Sequence, residues 1–215
     1  MNDLLQRSLM GVVLLAVALI AAVNGGYLFA GLLALAACVM FYEWRRIVAG
    51  WGFGWQVAGF VYALVPAIAL LWIRDRYEFG GVHMGLELLM WVFITTWSVD
   101  IGAYFAGRSI GGPRLAPAIS PNKTWAGLIG GVAAATLFGG LWAWLVHLPH
   151  ILWWLAPPFA LAAQAGDLFE SWMKRRAGIK DSGTWLPGHG GALDRLDGLV
   201  AVAALTAVAV IAGLI

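Results

Sequence analysis

The run WAGLIGGVAAATLFGGLWAWLV, residues 125–146, contains no charged side chain. A helix rises 1.5 Å per residue, so about 20 apolar residues cross the hydrocarbon of a bilayer. Working outward from this run, the same reading finds six more apolar stretches: Leu9–Val23, Tyr27–Tyr42, Trp55–Ile73, Met84–Ala106, Ile151–Phe169 and Leu193–Ile215. They are continuous rather than alternating with period two, which excludes a β-barrel. Arg7 precedes the first run as it would in a signal peptide. Asp3 shares that segment, however, and no small-residue cleavage site follows, so the run reads as a span. Only Asn24-Gly25-Gly26 separates the first two runs, which predicts a tight helical hairpin. The predicted fold is all-α: a polytopic transmembrane helical bundle of about seven spans, with six to eight admissible, forming a single integral membrane domain over residues 1–215.

Composition supports this fold. The 215 residues are 62% hydrophobic and 11% charged, against roughly 25% charged in soluble domains. A water-facing exterior cannot be covered with so little charge. A soluble enzyme, a disordered chain and a nucleic-acid binder are thereby excluded. The net charge of +2 says little about partners, and the single cysteine, Cys38, excludes an intramolecular disulfide or a cysteine-based zinc site. Basic residues set the orientation. Eleven fall on one predicted side: Arg7, Arg45, Arg46, Arg108, Arg114, Lys123, Lys174, Arg175, Arg176, Lys180 and Arg195. Two, Arg74 and Arg76, fall on the other. The N-terminus and the two long polar segments, Gly107–Thr124 and Ser171–Ala192, are therefore expected on the cytoplasmic face of the cell (inner) membrane.

Charges inside or beside a span are functional candidates. Asp100 lies in the fourth stretch, Asp167 and Glu170 close the sixth, and Asp194 and Asp197 open the seventh. The last two pairs are spaced i, i+3, which puts both carboxylates on one helix face. Two such helices could share a divalent cation, and an all-oxygen donor set suits Mg²⁺ or Mn²⁺ rather than Zn²⁺. Ion pairing, for example with Arg195, explains the spacing equally well. Between the acids runs a glycine-rich basic segment, with Lys174, Arg175, Lys180, Asp181, His189, Gly190 and Gly191. Its lysines and arginines can bind anions, and its glycines let backbone N–H groups approach a phosphate. In the other polar segment Ser120-Pro121 reads as a turn before a helix, with Thr124 or Asn122 as N-cap. Lys123 at that helix start opposes the dipole and suggests an anionic ligand there. Glu43 reads as an interfacial partner of Arg45 and Arg46. Trp51, Trp55, Trp142, Trp144, Trp153 and Trp154 read as an aromatic belt.

Several of these residues stand in a pattern. Ser171, Lys174-Arg175, Lys180-Asp181, Leu186-Pro187, His189-Gly190-Gly191 and Asp194-Arg195-Leu196-Asp197 together resemble the C-terminal signature of the phosphatidate cytidylyltransferases, or CDP-diacylglycerol synthases. Asp100 with Gly102-Ala103-Tyr104 and Gly107-Arg108 is similar to a second block of that family, and Ser120-Pro121, Lys123-Thr124 and Gly127 to a third. The resemblance covers about residues 93–198. Ala192 and Ala126 depart from it, where the family usually has a larger aliphatic residue and a Glu or Gln.

The resemblance implies a catalytic core in residues 91–215 behind N-terminal helices in 1–90. It implies the transfer of a cytidylyl group from CTP to phosphatidate, with Mg²⁺ (or Mn²⁺), giving CDP-diacylglycerol and pyrophosphate. Asp167 and Asp194 would hold the metal, with Asp197 and Glu170 as ligands or support. Lys174, Arg175, Lys180, His189 and Arg195 would contact phosphates, with Gly190 and Gly191 beside them, and Asp181 would orient the segment. Ser120, Lys123 and Thr124 would bind phosphate from the facing segment, and Asp100, Tyr104 and Arg108 would line the cavity. The expected partners are CTP, phosphatidate and membrane lipids; nucleic acid is not expected, and a homodimer is compatible with the reading. Two other readings are a cytidylyltransferase for another phosphorylated lipid, such as an isoprenoid ether, and a non-enzymatic ion path lined by the intramembrane acids.

Overall fold

The structure, a computed structural model, describes residues 3–183 and 190–215. It is mostly helical. The helices are α1 (Asp3–Asn24), α2 (Gly26–Ile47), α3 (Phe53–Arg76), α4 (Gly85–Ser109), α5 (Trp125–Leu145), α6 (Leu152–Arg176) and α7 (Leu193–Ile211). Each takes up one of the seven apolar stretches. Among the described residues, α2, α3, α4 and α5 are long and apolar enough to cross a membrane. The expected break between the first two runs falls at Gly25, whose φ of +65° suits glycine. The Arg74 guanidinium, at the end of α3, donates to the Ala22 and Val23 carbonyls at 2.7 and 2.9 Å. It thereby satisfies acceptors that the end of α1 leaves open.

Two antiparallel hairpins add to the helical fold: β1 (Glu78–Phe79) with β2 (Val82–His83), and β3 (Arg114–Ala116) with β4 (Ser120–Thr124). The second replaces the turn expected at Ser120-Pro121. The Pro121 ring cannot donate to a ladder, but a two-stranded ribbon has open edges that tolerate it. Trp125 N–H then donates to Pro113 carbonyl at 3.1 Å, so the ribbon runs directly into α5.

Small residues let the helices approach closely, as membrane packing favours. A Cβ on Gly131 of α5 would stand 2.7 Å from the Val99 carbonyl of α4, and one on Gly166 of α6 would stand 2.8 Å from the Asp197 carbonyl of α7. The second approach brings two acid-bearing helices together. Around them Met40, Trp44, Ile47, Ala63, Met173, Leu193 and Val200 form a buried cluster joining α2, α3, α6 and α7. The tryptophans expected in an aromatic belt differ in their surroundings. Trp144 and Trp154 are exposed. Trp51 and Trp55 instead pack against Trp172, Arg176 stacks over Trp51, and the Trp142 indole donates to the Glu87 carbonyl at 2.9 Å.

Candidate active site

The ends of α4, α6 and α7 and the β3–β4 ribbon bring most of the expected residues into one region. Asp100, Asp167, Glu170 and Asp197 lie close enough to act electrostatically on one another: Asp167 acts on Asp100 and Asp197, and Asp197 acts on Glu170. Lys123 and Arg195 act on Asp100 as well, with the opposite charge. The carboxylates of α6 and α7 are thus near enough to feel one another's charge.

Two lysines are paired with these acids. Lys123 Nζ lies 2.5 Å from Asp167 Oδ2 and donates to Gln164 Oε1 at 3.2 Å. The anion that the position of Lys123 suggests is therefore, in this structure, a side chain of α6. Lys174 Nζ lies 2.5 Å from Asp194 Oδ1 and 3.4 Å from Glu170 Oε1. Lys174 sits beyond the apolar part of α6. Burial pulls its ammonium down, but the Glu170 and Asp194 carboxylates outweigh that and hold its pKa above the ordinary lysine value.

Asp194 is the most fully satisfied acid. Beyond Lys174, its Oδ2 accepts from Ser182 N–H at 3.0 Å and Gly191 N–H at 2.9 Å. Glu170 is the opposite case: both of its carboxylate oxygens are buried without a hydrogen-bond partner. A buried carboxylate without hydrogen bonds is costly, and the Lys174 ammonium 3.4 Å from Oε1 offsets part of that cost. Asp197 accepts from its own neighbour, Gly198 N–H, at 2.8 Å.

The expected divalent cation can be weighed against this donor set. Among the described residues, no group of three or more His, Cys, Asp or Glu side chains is placed to hold a metal ion. Mg²⁺ does not need one, since it binds through one or two carboxylates and fills its octahedron with water and substrate phosphate. Asp167 and Asp197 are hard oxygen donors of that kind.

The remaining expected residues take varied places. Thr124 is buried and its hydroxyl accepts from Gly127 N–H at 3.0 Å, so it is the N-cap of α5 and has no surface to offer a ligand. Ser120 pairs with Ala116 in the ribbon. Arg175 Nε donates to Ile119 carbonyl at 3.3 Å, tying α6 to the ribbon. Arg108 donates to the Tyr104 hydroxyl at 3.3 Å, one turn apart on α4. Lys180, Asp181 and Arg195 are exposed. Gly190 has a φ of +81° and Gly191 is buried. His189, together with Leu186 and Pro187 of the signature, lies outside the described residues.

Three residues escaped the sequence reading. Glu43 is buried and bonds to the start of α7 rather than pairing at an interface with Arg45 and Arg46. Gln164 holds Lys123. Among the described residues the buried Tyr62 hydroxyl has no hydrogen-bond partner, and it feels the charges of Asp197, Glu170 and Asp167. The i, i+3 relation of Gln164 to Asp167 was the only signal for any of them.

Comparison with known proteins bears on the same region. A model of the cytidylyltransferase family matches residues 51–212. The phosphatidate cytidylyltransferase of Brucella suis biovar 1 is 48% identical over 184 residues, which cover 84% of this chain and 62% of that protein. That of Haemophilus influenzae is 41% identical over 146 residues, 64% of this chain and 51% of the relative. That of Rickettsia bellii is 34% identical over 211 residues, 94% of this chain and 88% of the relative. The chain thus spans less than two thirds of the length of the Brucella and Haemophilus proteins and nearly all of the Rickettsia one. The family match runs from just before α3 to the end of α7 and takes in every acid and lysine of the site except Glu43, and on that ground the chain belongs to the cytidylyltransferase family.

Proposed function

We propose that this protein transfers the cytidylyl group of CTP to phosphatidate, releasing pyrophosphate and forming CDP-diacylglycerol. The observation that carries the reading is the meeting of Asp167, Glu170 and Asp197 with Lys123 and Lys174 at one end of the bundle. Each lysine there holds an acid in place of a ligand.

The nucleophile is a phosphate oxygen of the lipid, which is already anionic and needs no strong general base. It attacks the α-phosphorus of CTP, a new P–O bond forms, and the bond from the α-phosphorus to the bridging oxygen breaks as pyrophosphate leaves. The chain's task is to hold two anions together and to stabilise charge on the leaving group. Lys123 and Lys174 turn from Asp167 and Asp194 towards the incoming phosphates, with Arg175, Lys180 and Arg195 at the open side. Asp167 and Asp197, with Glu170 and Asp194 as further ligands or support, would hold the divalent cation. When bound, Mg²⁺ supplies charge neutralisation at the phosphates and a template for in-line geometry. His189 and the Gly190-Gly191 backbone complete the phosphate contacts, and Asp100 and Tyr104 line the lipid side.

The same reading makes all seven helices membrane spans, with the N-terminus and the site on the cytoplasmic face of the inner membrane, as the distribution of basic residues argues. The test is pyrophosphate release from CTP by the purified protein, with phosphatidate, with an isoprenoid-ether phosphate, without lipid and without Mg²⁺. Release that needs both phosphatidate and the metal is expected. Release only with the ether lipid would move the protein to the other substrate, and no lipid-dependent release with any divalent metal would reject cytidylyl transfer.

A further inference from the structure

Glu43 stands on α2, far in sequence from the acids of α6 and α7, and is fully buried. Among the described residues its carboxylate pairs with no cation. It accepts from Ser182 Oγ at 2.9 Å, Ala192 N–H at 3.1 Å and Leu193 N–H at 2.9 Å. Burying a carboxylate is costly, and a buried charge is a poor source of stability. Here the cost is offset by charge-assisted donors and by the positive end of α7. The N-cap of α7, Ala192, makes no side-chain cap bond of its own, so Glu43 is a cap delivered from another helix.

The backbone around it is shaped to admit it. A Cβ on Gly191 would stand 2.6 Å from Glu43 Oε2, and one on Gly183 would overlap Oε1. The same short segment also serves Asp194, through Ser182 N–H and Gly191 N–H. Ser182 therefore gives its hydroxyl to Glu43 and its amide to Asp194. Gly191 gives its amide to Asp194, and the next two residues give theirs to Glu43.

We propose that Glu43 is a positioning residue for the nucleotide site: it clamps Ser182 and the first turn of α7, so that Asp194 meets Lys174 and Asp197 faces Asp167. The proposal rests on the cytidylyl-transfer reading for its catalytic consequence, while the clamp itself can be tested apart from it. Glu43→Gln is the decisive change, because it keeps the shape but turns an NH₂ group towards N–H donors. Glu43→Asp keeps the charge.

The full-length protein and both variants are compared in detergent by melting temperature, by hydrogen exchange at the Ala192 and Leu193 amides, and by Mg²⁺- and CTP-dependent pyrophosphate release. For Glu43→Gln the two amides are expected to exchange faster and the Mg²⁺ concentration for half activity to rise. Its kcat is expected to fall about 10–100-fold, the scale of a small misplacement made away from the chemistry. KM for phosphatidate is expected to stay within about twofold, which separates a shifted nucleotide site from a general loss of binding. Glu43→Asp is expected to recover part of kcat and of the Mg²⁺ dependence. Wild-type kcat and Mg²⁺ dependence in Glu43→Gln, unchanged exchange at both amides, or Glu43→Asp no better than Glu43→Gln would each overturn the proposal. If the wild type shows no lipid-dependent release, cytidylyl transfer fails, and exchange at Ala192 and Leu193 alone decides the clamp. If Glu43→Gln does not fold, Ser182→Ala removes one donor and leaves the carboxylate; the same changes at smaller size are expected, and no change overturns the clamp.

Discussion

Lys123 touches Asp167 and Gln164 with one ammonium group, its side chain largely shielded from solvent. Its charge stands against a patch where Asp100, Asp167 and Asp197 already repel one another. Without that ammonium the patch keeps Arg195 near Asp100 but loses the charge that pairs with Asp167, and a bound divalent cation would offset that loss. Lys123→Met is therefore expected to melt at lower temperature in chelator, and added Mg²⁺ is expected to restore more of its melting temperature than it adds to wild type. Pyrophosphate release should fall on the order of 100-fold, as when one donor to a developing phosphate charge is lost. Equal Mg²⁺ effects on the melting of variant and wild type would contradict this account of the pair. The role of Lys123 was half legible in the sequence. Its place at a helix start pointed to an anion, but that the anion is Asp167 depends on a helix packing that no local pattern encodes.

Among the elements, α4 and α5 lie closest, and their glycines set the distance. Gly131 faces the Val99 carbonyl, which no side-chain rotation can move aside. Gly131→Ala is expected to lower stability by about 1–3 kcal/mol, the usual penalty for forcing a methyl into a filled contact, measured by thermal unfolding in detergent. A variant as stable as wild type would mean that the two helices are not held at this spacing. The helices themselves were readable because a bilayer demands long apolar runs, and each run became one helix. Their polar ends were harder to read: α6 continues past Phe169 to Arg176, since a helix does not stop where hydrophobicity does. The β3–β4 ribbon was not readable, because strands of a few residues around Pro117 and Pro121 carry no periodicity to detect. Glu43 was misread for a different reason. Beside Arg45 and Arg46 it looks like an interfacial ion pair, whereas its partners lie at residues 182, 192 and 193.

For the whole molecule, the disposition of charge and the order of helices make one joint demand. If all seven helices cross, the β1–β2 hairpin after α3 and the segment after α6 must lie on opposite sides of the membrane. The first carries the exposed Val82 and the second the exposed Ile179. The two are separated by α4, α5 and α6, an odd number of crossings. The only native cysteine, Cys38, is exposed on α2 and must first be removed. In a Cys38→Ala background, Val82→Cys is expected to react with a membrane-impermeant maleimide in intact cells. Ile179→Cys should react only after permeabilisation, because the excess of basic residues keeps its segment in the cytoplasm. Labelling of both positions from the same side would mean an even number of crossings between them, so that one of α4, α5 and α6 does not span. Since α4 and α5 are both long and apolar enough to cross, the suspect would be α6, which carries Asp167 and Glu170. A site held by a helix that dips into the bilayer and returns would still meet a lipid phosphate at the surface. It would not place Asp167 opposite Asp197 on two antiparallel spans, so the labelling result decides whether the proposed metal site has the frame it needs.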